Sequence, residues 1–168
     1  MIELLIIFVL IKRDRTMYSI RKEIHDLFGI FTKPSDGTIH PALERLLEKK
    51  ALNVQEKMSE GGKKSTYYSI NKQSISYAKE LLLSNDTENP SMFLPQLQAK
   101  LSTLSLFDKE TINTFISQNL EKIELLEAEI KNTLENPYRM LDKYQTNLYN
   151  ENLKRLKGLE NLMLEYRQ

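Results

Sequence analysis

The feature that most constrains the fold is a helix start followed by a helical apolar pattern within residues 33–70. Ser35 is a residue type that caps free N–H groups at a helix start, and Asp36 complements the positive end of the helix dipole. Apolar side chains then recur at helical spacing, at Ile39, Leu43, Leu46 and Leu47. Thr38 and Arg45 fall on the opposite face. The pattern predicts a helix that packs through one face and leaves the other free to contact a partner.

A two-stranded hairpin is predicted directly after this helix. Leu52 and Val54 alternate with polar residues. Residues 60–64 then read Glu-Gly-Gly-Lys-Lys, and residues 66–70 read Thr-Tyr-Tyr-Ser-Ile, as expected for a glycine turn and a second strand. A helix with a free face followed by a hairpin with a basic tip is the arrangement of a winged helix-turn-helix. In that arrangement the helix enters the major groove and the wing contacts backbone phosphates.

These residues resemble the recognition helix and wing of the PadR family of transcriptional regulators. The resemblance covers residues 4–84 and depends on Ser-Asp-Gly-Thr-Ile-His-Pro-Ala-Leu-Glu-Arg-Leu at 35–46, Leu52, Gly-Gly-Lys-Lys at 61–64 and Tyr-Tyr-Ser-Ile at 67–70. It implies a homodimeric regulator, in most of the family a repressor, that binds a double-stranded DNA operator. His40 stands where the family has tyrosine, which affects any contact made there. Ala51 stands where the family has glycine, which changes only a helix end.

The expected DNA contacts are of two kinds. Lys63 and Lys64 at the wing tip are expected to contact phosphates, and the resemblance places Tyr18 against the backbone as well. Thr38 and Arg45 are the candidates for base edges. Together with a serine and a histidine of the same helix, the predicted DNA-binding residues are Tyr18, Ser35, Thr38, His40, Arg45, Lys63 and Lys64. Periodicity alone fits Tyr18 equally well as a half-buried core phenol.

The preceding helices are predicted from composition and capping signals. Residues 3–12 are apolar on nearly all sides, so this first helix should be covered by its neighbours. Thr16 is expected to cap a second helix, and Gly29 to end it. Pro41 lies inside the predicted recognition helix, where it removes one N–H group. That helix should therefore either begin nearer residue 38 or bend.

The C-terminal half is predicted to be helical and dimeric. Residues 84–90 form a polar boundary between a DNA-binding domain at 1–84 and a helical domain at 91–168. A short helix at 91–102 should precede two long helices at 109–135 and 137–167, and so short a connection predicts an antiparallel hairpin. Its apolar stripes exceed what the hairpin can bury alone, so a second copy is expected to cover them. The predicted dimer contacts are Ile123, Leu126, Ile130, Leu148, Leu156, Leu159 and Met163.

Composition excludes several other classes of function. The chain has no cysteine, which excludes disulfides, zinc-thiolate sites and a cysteine nucleophile. His25 and His40 lack metal-ligand spacing, so no metal site is predicted. Ser35, Asp36 and His40 lie along one helix turn, where a helix cap explains the first two, so no enzyme and no cofactor are predicted. The apolar run at residues 4–11 is shorter than the roughly 20 residues of a membrane span, so the protein is expected to be cytoplasmic. Residues 1–70 hold 12 Lys and Arg against 9 Asp and Glu, which mildly favours nucleic-acid contact in this half.

Two interpretations stay open. Many regulators of the resembled family respond to small apolar or aromatic molecules. The C-terminal half contains residues suited to such an effector, namely Phe93, Phe107, Phe115, Tyr138, Tyr144, Tyr149, Tyr166, Met140 and Met163. The same residue types also fill plain helical cores. A winged helix used for protein–protein contact, without specific DNA binding, is the alternative to a transcriptional regulator.

Overall fold

A computed structural model describes residues 1–58, 62, 64–84 and 90–167. The chain forms two compact units, an N-terminal unit (Met1–Phe107) and a C-terminal unit (Asp108–Gln168). The N-terminal unit contains α1 (Ile2–Leu10), α2 (Met17–Phe28), α3 (Asp36–Glu48), β1 (Leu52–Met58), β2 (Lys64–Ile70), α4 (Ser74–Leu83), α5 (Pro90–Leu101) and a 3-10 turn (Leu104–Leu106). The C-terminal unit contains α6 (Lys109–Glu135) and α7 (Lys143–Tyr166). The predicted class, mainly helical with a two-stranded wing, is confirmed.

The core of the N-terminal unit is built around α1. Leu4, Leu5, Ile6 and Ile7 are fully buried, because α2, α3 and α4 pack around this helix and β2 contacts it. A helix that is apolar on all sides needs such cover. The prediction of a buried first helix is confirmed, although the helix ends at Leu10 and begins at Ile2.

The two predicted end signals of α2 are Thr16 at its start and Gly29 at its end. The first acts as predicted, and the second acts for a different reason. The Thr16 hydroxyl accepts a hydrogen bond from the Ser19 N–H at 3.3 Å, as a capping residue should. Gly29 ends α2 with a right-handed backbone, φ −61°. A left-handed stop is therefore not the reason for glycine here. A Cβ at this position would overlap the carbonyl oxygen of His25, so close backbone approach requires the glycine.

The start of α3 corrects two expectations. Ser35 has the extended backbone of a capping residue, but its hydroxyl makes no capping bond and instead lies 3.1 Å from the Thr38 hydroxyl. The carbonyl of Ser35 accepts from the backbone N–H groups of Thr38 and Ile39. The helix begins at Asp36 and continues through Pro41, so of the two alternatives for this helix a start nearer residue 38 is wrong.

The wing is an antiparallel hairpin whose register runs from Leu52 opposite Ile70 to Met58 opposite Lys64. Gly62 has a φ of +74°, a left-handed conformation that favours glycine. Residues 59–61 and 63 lie outside the described residues, and with them the predicted Lys63. Arg15, directly before α2, forms an isolated backbone bridge to Tyr68 of β2.

The C-terminal unit is a pair of long helices, α6 packed against α7. The first matches its predicted bounds. The second does not, because α7 begins at Lys143 and the connection spans 136–142. Asp142 is the physical reason. Its carboxylate accepts from the N–H groups of Tyr144 and Gln145, and the Gln145 side chain accepts from the Asp142 N–H, which completes a capping box.

The predicted boundary at 84–90 falls largely on residues 85–89, which lie outside the described residues. Lys100 of α5 donates to the carbonyls of Leu82 and Ser84 at 3.1 and 2.8 Å, so α5 is joined to the end of α4 within the N-terminal unit. The assignment of residues 91–107 to a dimerisation domain stays a prediction. No helix among the described residues is both long and apolar enough to span a membrane.

Candidate nucleic-acid interface

The outer face of α3 is exposed, as a groove-binding helix requires. Ile39, Ala42, Leu43 and Leu46 are buried and hold the helix against the core. Thr38, His40 and Arg45 are exposed. The four apolar residues face inward and the polar residues face outward, so the side chains predicted to contact bases are accessible.

Arg45 is tied to the rest of the N-terminal unit by an ion pair that the sequence did not reveal. Its Nε donates to Oε1 of Glu3, a residue of α1 that is only 8% exposed. The second oxygen of Glu3 accepts from the Tyr77 hydroxyl of α4 at 3.2 Å. Burial raises the pKa of Tyr77, and the negative charge of Glu3 adds to the rise. Among the described residues, neither terminal amino group of Arg45 donates a hydrogen bond, and the side chain is 54% exposed.

Tyr18 lies on the surface of α2, 65% exposed, so it is not a core phenol. The Arg21 guanidinium lies 5.5 Å from the centre of its ring. The same guanidinium pairs with Asp36 at 3.2 Å, which joins α2 to the first turn of α3. Tyr18 is therefore held beside the N-terminal end of α3, where a backbone contact is expected.

The wing presents lysines that already have carboxylate partners. Lys64 is exposed and pairs with Glu56 on the facing strand. Lys57 pairs with Asp14 at 2.8 Å and lies 5.4 Å from the centre of the Tyr67 ring. Gln55 also donates to Asp14, at 3.1 Å. Lys57 is not among the predicted contacts, although a lysine one residue before the end of the first wing strand is a usable signal.

The family comparison agrees with this geometry. Residues 6–77, which include α3 and both wing strands, match the transcriptional regulator PadR-like family. The chain carries a PadR-like domain. The resemblance predicted from the recognition helix and wing is confirmed. No curated protein matches the chain.

Several solved structures are similar to the whole chain. The Bacillus subtilis PadR structure in complex with operator DNA is 14% identical, covers 98% of this chain and 96% of its own, and gives a TM-score of 0.45. The smu.1604c structure from Streptococcus mutans UA159 is 20% identical, with 98% and 96% coverage and a TM-score of 0.44. The Vibrio cholerae virulence activator AphA is 24% identical, with 99% and 96% coverage and a TM-score of 0.40.

The predicted dimer contacts of the C-terminal unit differ in exposure. Ile123, Leu156, Leu159 and Met163 are buried within the single chain. Leu126 and Ile130 are half-buried, and Leu148 is 64% exposed. The large apolar side chains that the single chain leaves most exposed here are Leu125, Tyr138, Met140, Tyr144 and Leu148. The buried members can support the hairpin, while Leu148 and its exposed neighbours are available to a partner.

Proposed function

We propose that this chain is a sequence-specific DNA-binding transcriptional regulator that acts as a homodimeric repressor. The observation that carries the proposal is the PadR-like match over residues 6–77, the segment that contains α3 and the wing. The exposed outer face of α3 and the exposed lysines of the wing support it. The match describes a regulator and no reaction, which favours a protein without enzymatic activity.

In the proposed complex α3 enters the major groove and the wing lies along the backbone. Thr38 and Arg45 contact base edges, with Ser35 and His40 beside them on the same helix. Phosphate contacts fix the position of the domain on the duplex. They are made by Tyr18, Lys63 and Lys64, and also by Lys57. Arg45 is suited to reading because Glu3 fixes its Nε while the side chain as a whole stays 54% exposed.

A second copy of the chain is the proposed cover for the exposed apolar side chains of the C-terminal unit. Tyr144 and Leu148 are one turn apart on α7, 82% and 64% exposed. Contiguous exposed apolar side chains of this size mark interaction sites. Isologous pairing through this face would place two recognition helices on one duplex, as paired half-sites require.

We also propose that the protein senses a small apolar or aromatic effector. This part of the proposal is supported only by the aromatic residues and methionines of the C-terminal half. Phe115 and Met163 are buried, whereas Tyr138, Met140 and Tyr144 are exposed. A depression of about 400 Å³ in the C-terminal unit is lined by Leu125, Ala128, Glu129, Asn132, Thr133, Asn136 and Arg139, with none of the aromatic residues named above among them. A thermal-shift screen of apolar and aromatic compounds tests this part. Hits that stabilise the protein without altering DNA affinity would make the C-terminal unit a dimerisation device only.

The experiment that tests the proposal is duplex binding by gel shift with variants of the wing and of α3. Lys64→Ala should weaken binding to all duplexes alike and reduce the salt slope by about one unit. Lys154→Ala is the matched control, since Lys154 is an exposed lysine of α7 that also pairs with a glutamate. Arg45→Ala should relax sequence preference instead. A wild-type protein that binds no duplex would favour the protein–protein scaffold.

A further inference from the structure

The outermost side chains of α3 are acidic rather than basic. The buried residues Ile39, Leu43 and Leu46 define the inner face of the helix. At 3.6 residues per turn, the line opposite them passes through Gly37, Pro41, Glu44 and Glu48. The two long side chains on that line both carry carboxylates. In the proposed complex they would be the first side chains of α3 to meet the groove.

The charge of α3 is unusual for a helix that approaches a polyanion. Its 13 residues contain Asp36, Glu44 and Glu48 against the single cation Arg45. Asp36 is paired with Arg21, and Arg45 is paired with Glu3. Glu44 has a weaker partner, His40 Nδ1 at 3.5 Å, and its side chain is 59% exposed. A carboxylate placed here repels phosphates, so it lowers affinity unless it meets a hydrogen-bond donor.

The major groove offers such a donor at cytosine. The N4 amino group of cytosine donates, and glutamate accepts from it. Adenine also has an amino group, but its neighbouring N7 is an acceptor that would repel a carboxylate. We propose that Glu44 is a specificity-determining residue that accepts a hydrogen bond from a cytosine N4 amino group, with the His40 ring lying beside its carboxylate.

Glu44 is favoured over Glu48 by its place in the helix. Recognition helices contact bases mainly through their N-terminal residues, and Glu48 is the last residue of α3. The negative charge of Glu44 also raises the pKa of Tyr68 in β2, after the larger effect of burial. Glu44 is therefore close enough to Tyr68 of the wing to act on it electrostatically, while its side chain stays 59% exposed.

The test is selection from a randomised duplex library with the full-length wild type, Glu44→Gln and Glu48→Gln. Glutamine reads adenine through N6 and N7, so Glu44→Gln should replace a cytosine by adenine at one position of the selected site. For each protein, the affinity for the wild-type duplex is divided by the affinity for the adenine-containing duplex. This ratio should be about tenfold lower for Glu44→Gln than for the wild type. Glu48→Gln removes the same charge four residues away and should select the wild-type site.

The outcomes separate this inference from the proposed function on which it rests. A wild type that selects no sequence would overturn both. A wild type with a defined site, together with a Glu44→Gln variant that selects the same base at every position, would overturn the role of Glu44 alone. The same would follow if Glu48→Gln changed the preference identically, because charge would then be the cause. Thermal melting of both variants establishes that they are folded.

Discussion

The guanidinium of Arg15 is buried, only 4% exposed, and its contacts hold the N-terminal unit together. It donates to the carbonyl of Val9 at 3.0 Å and to the Ser19 hydroxyl at 3.3 Å, and it pairs with Glu23 at 2.8 Å. The backbone of the same residue exchanges two hydrogen bonds with Tyr68. One residue thus joins the end of α1 to α2 and to the wing.

Replacement of Arg15 by alanine should therefore destabilise the protein strongly. It leaves the Val9 carbonyl and the Glu23 carboxylate without their partner in a partly buried place, which should cost about 2–3 kcal/mol. Urea unfolding measures this as a lower midpoint. Arg13→Ala is the matched control because Arg13 is exposed, and it should change stability by less than about 0.5 kcal/mol. Equal midpoints for the two variants would contradict the structural role of Arg15.

For single side chains, the sequence predicts contacts between residues that are close in the chain and does not predict contacts between residues that are far apart in it. The Thr16 cap was predictable because its partner lies three residues away. The Ser35 cap was predicted on the same ground and is wrong, because the hydroxyl of Ser35 contacts the hydroxyl of Thr38 instead of a backbone N–H. The partner of Arg45 is Glu3, 42 positions earlier in the chain, and no local pattern indicates such a pair.

Among the helices, α1, α3 and α4 are joined by the hydrogen bonds of Glu3. Arg45 of α3 and Tyr77 of α4 each occupy one oxygen of its carboxylate. This arrangement fixes the recognition helix relative to the two helices behind it. The phenol of Tyr77 must remain protonated to donate, so the contact is sensitive to alkaline pH.

The raised pKa of Tyr77 predicts a loss of stability at alkaline pH. Because the pKa in the folded protein lies above the ordinary 10.0, the stabilisation is fully present below pH 10.0 and is lost as pH rises through the folded value. Tyr77→Phe should therefore flatten the decline in unfolding free energy above pH 10.0. It should also lower neutral stability by about 1 kcal/mol through the lost hydrogen bond.

Urea unfolding at several alkaline pH values checks this prediction. Tyr138→Phe is the control, since that ring is 92% exposed, and it should decline as the wild type does. A Tyr77→Phe variant that followed the wild-type curve would show that the contact with Glu3 does not determine alkaline stability.

The existence of the elements followed from sequence periodicity, and their ends depended on capping. The stripe of α6 gave its bounds correctly, because Asp108 caps its start through the Thr111 N–H at 2.8 Å and the apolar spacing is unbroken. For α7, the apolar stripe and Pro137 predict a start at residue 137, before the observed start at Lys143. Proline suits a first helical position, but Asp142 with Gln145 forms the stronger start signal.

For the whole molecule, the exposed face of α7 predicts self-association. Leu148→Lys places a charge among the apolar side chains that the proposed second copy covers, and it should weaken the dimer by about tenfold or more. Asn147→Lys adds the same charge at the neighbouring exposed position and should leave the dimer intact. Sedimentation equilibrium measures both. A Leu148→Lys variant as dimeric as the wild type would place the interface elsewhere.

The predicted dimer contacts show what the sequence does not reveal about the packing of the whole molecule. Helical spacing identified apolar positions but not which of them pack inside one chain. Ile123 and Met163 are fully buried within the chain, while Leu148 of the same predicted set is largely exposed. Apolar stripes on two helices are equivalent in sequence until their mutual packing assigns one face of each to the interior.

The central claim is sequence-specific duplex binding, and the measurement that tests it most directly is the salt dependence of binding to a selected and to a scrambled duplex. Between about 50 and 200 mM salt, log affinity should fall linearly with log salt for both, because lysines of the wing neutralise phosphates. The selected duplex should bind about a thousandfold more tightly or better. Equal affinity for the two duplexes, or affinity that does not change with salt, would contradict the account.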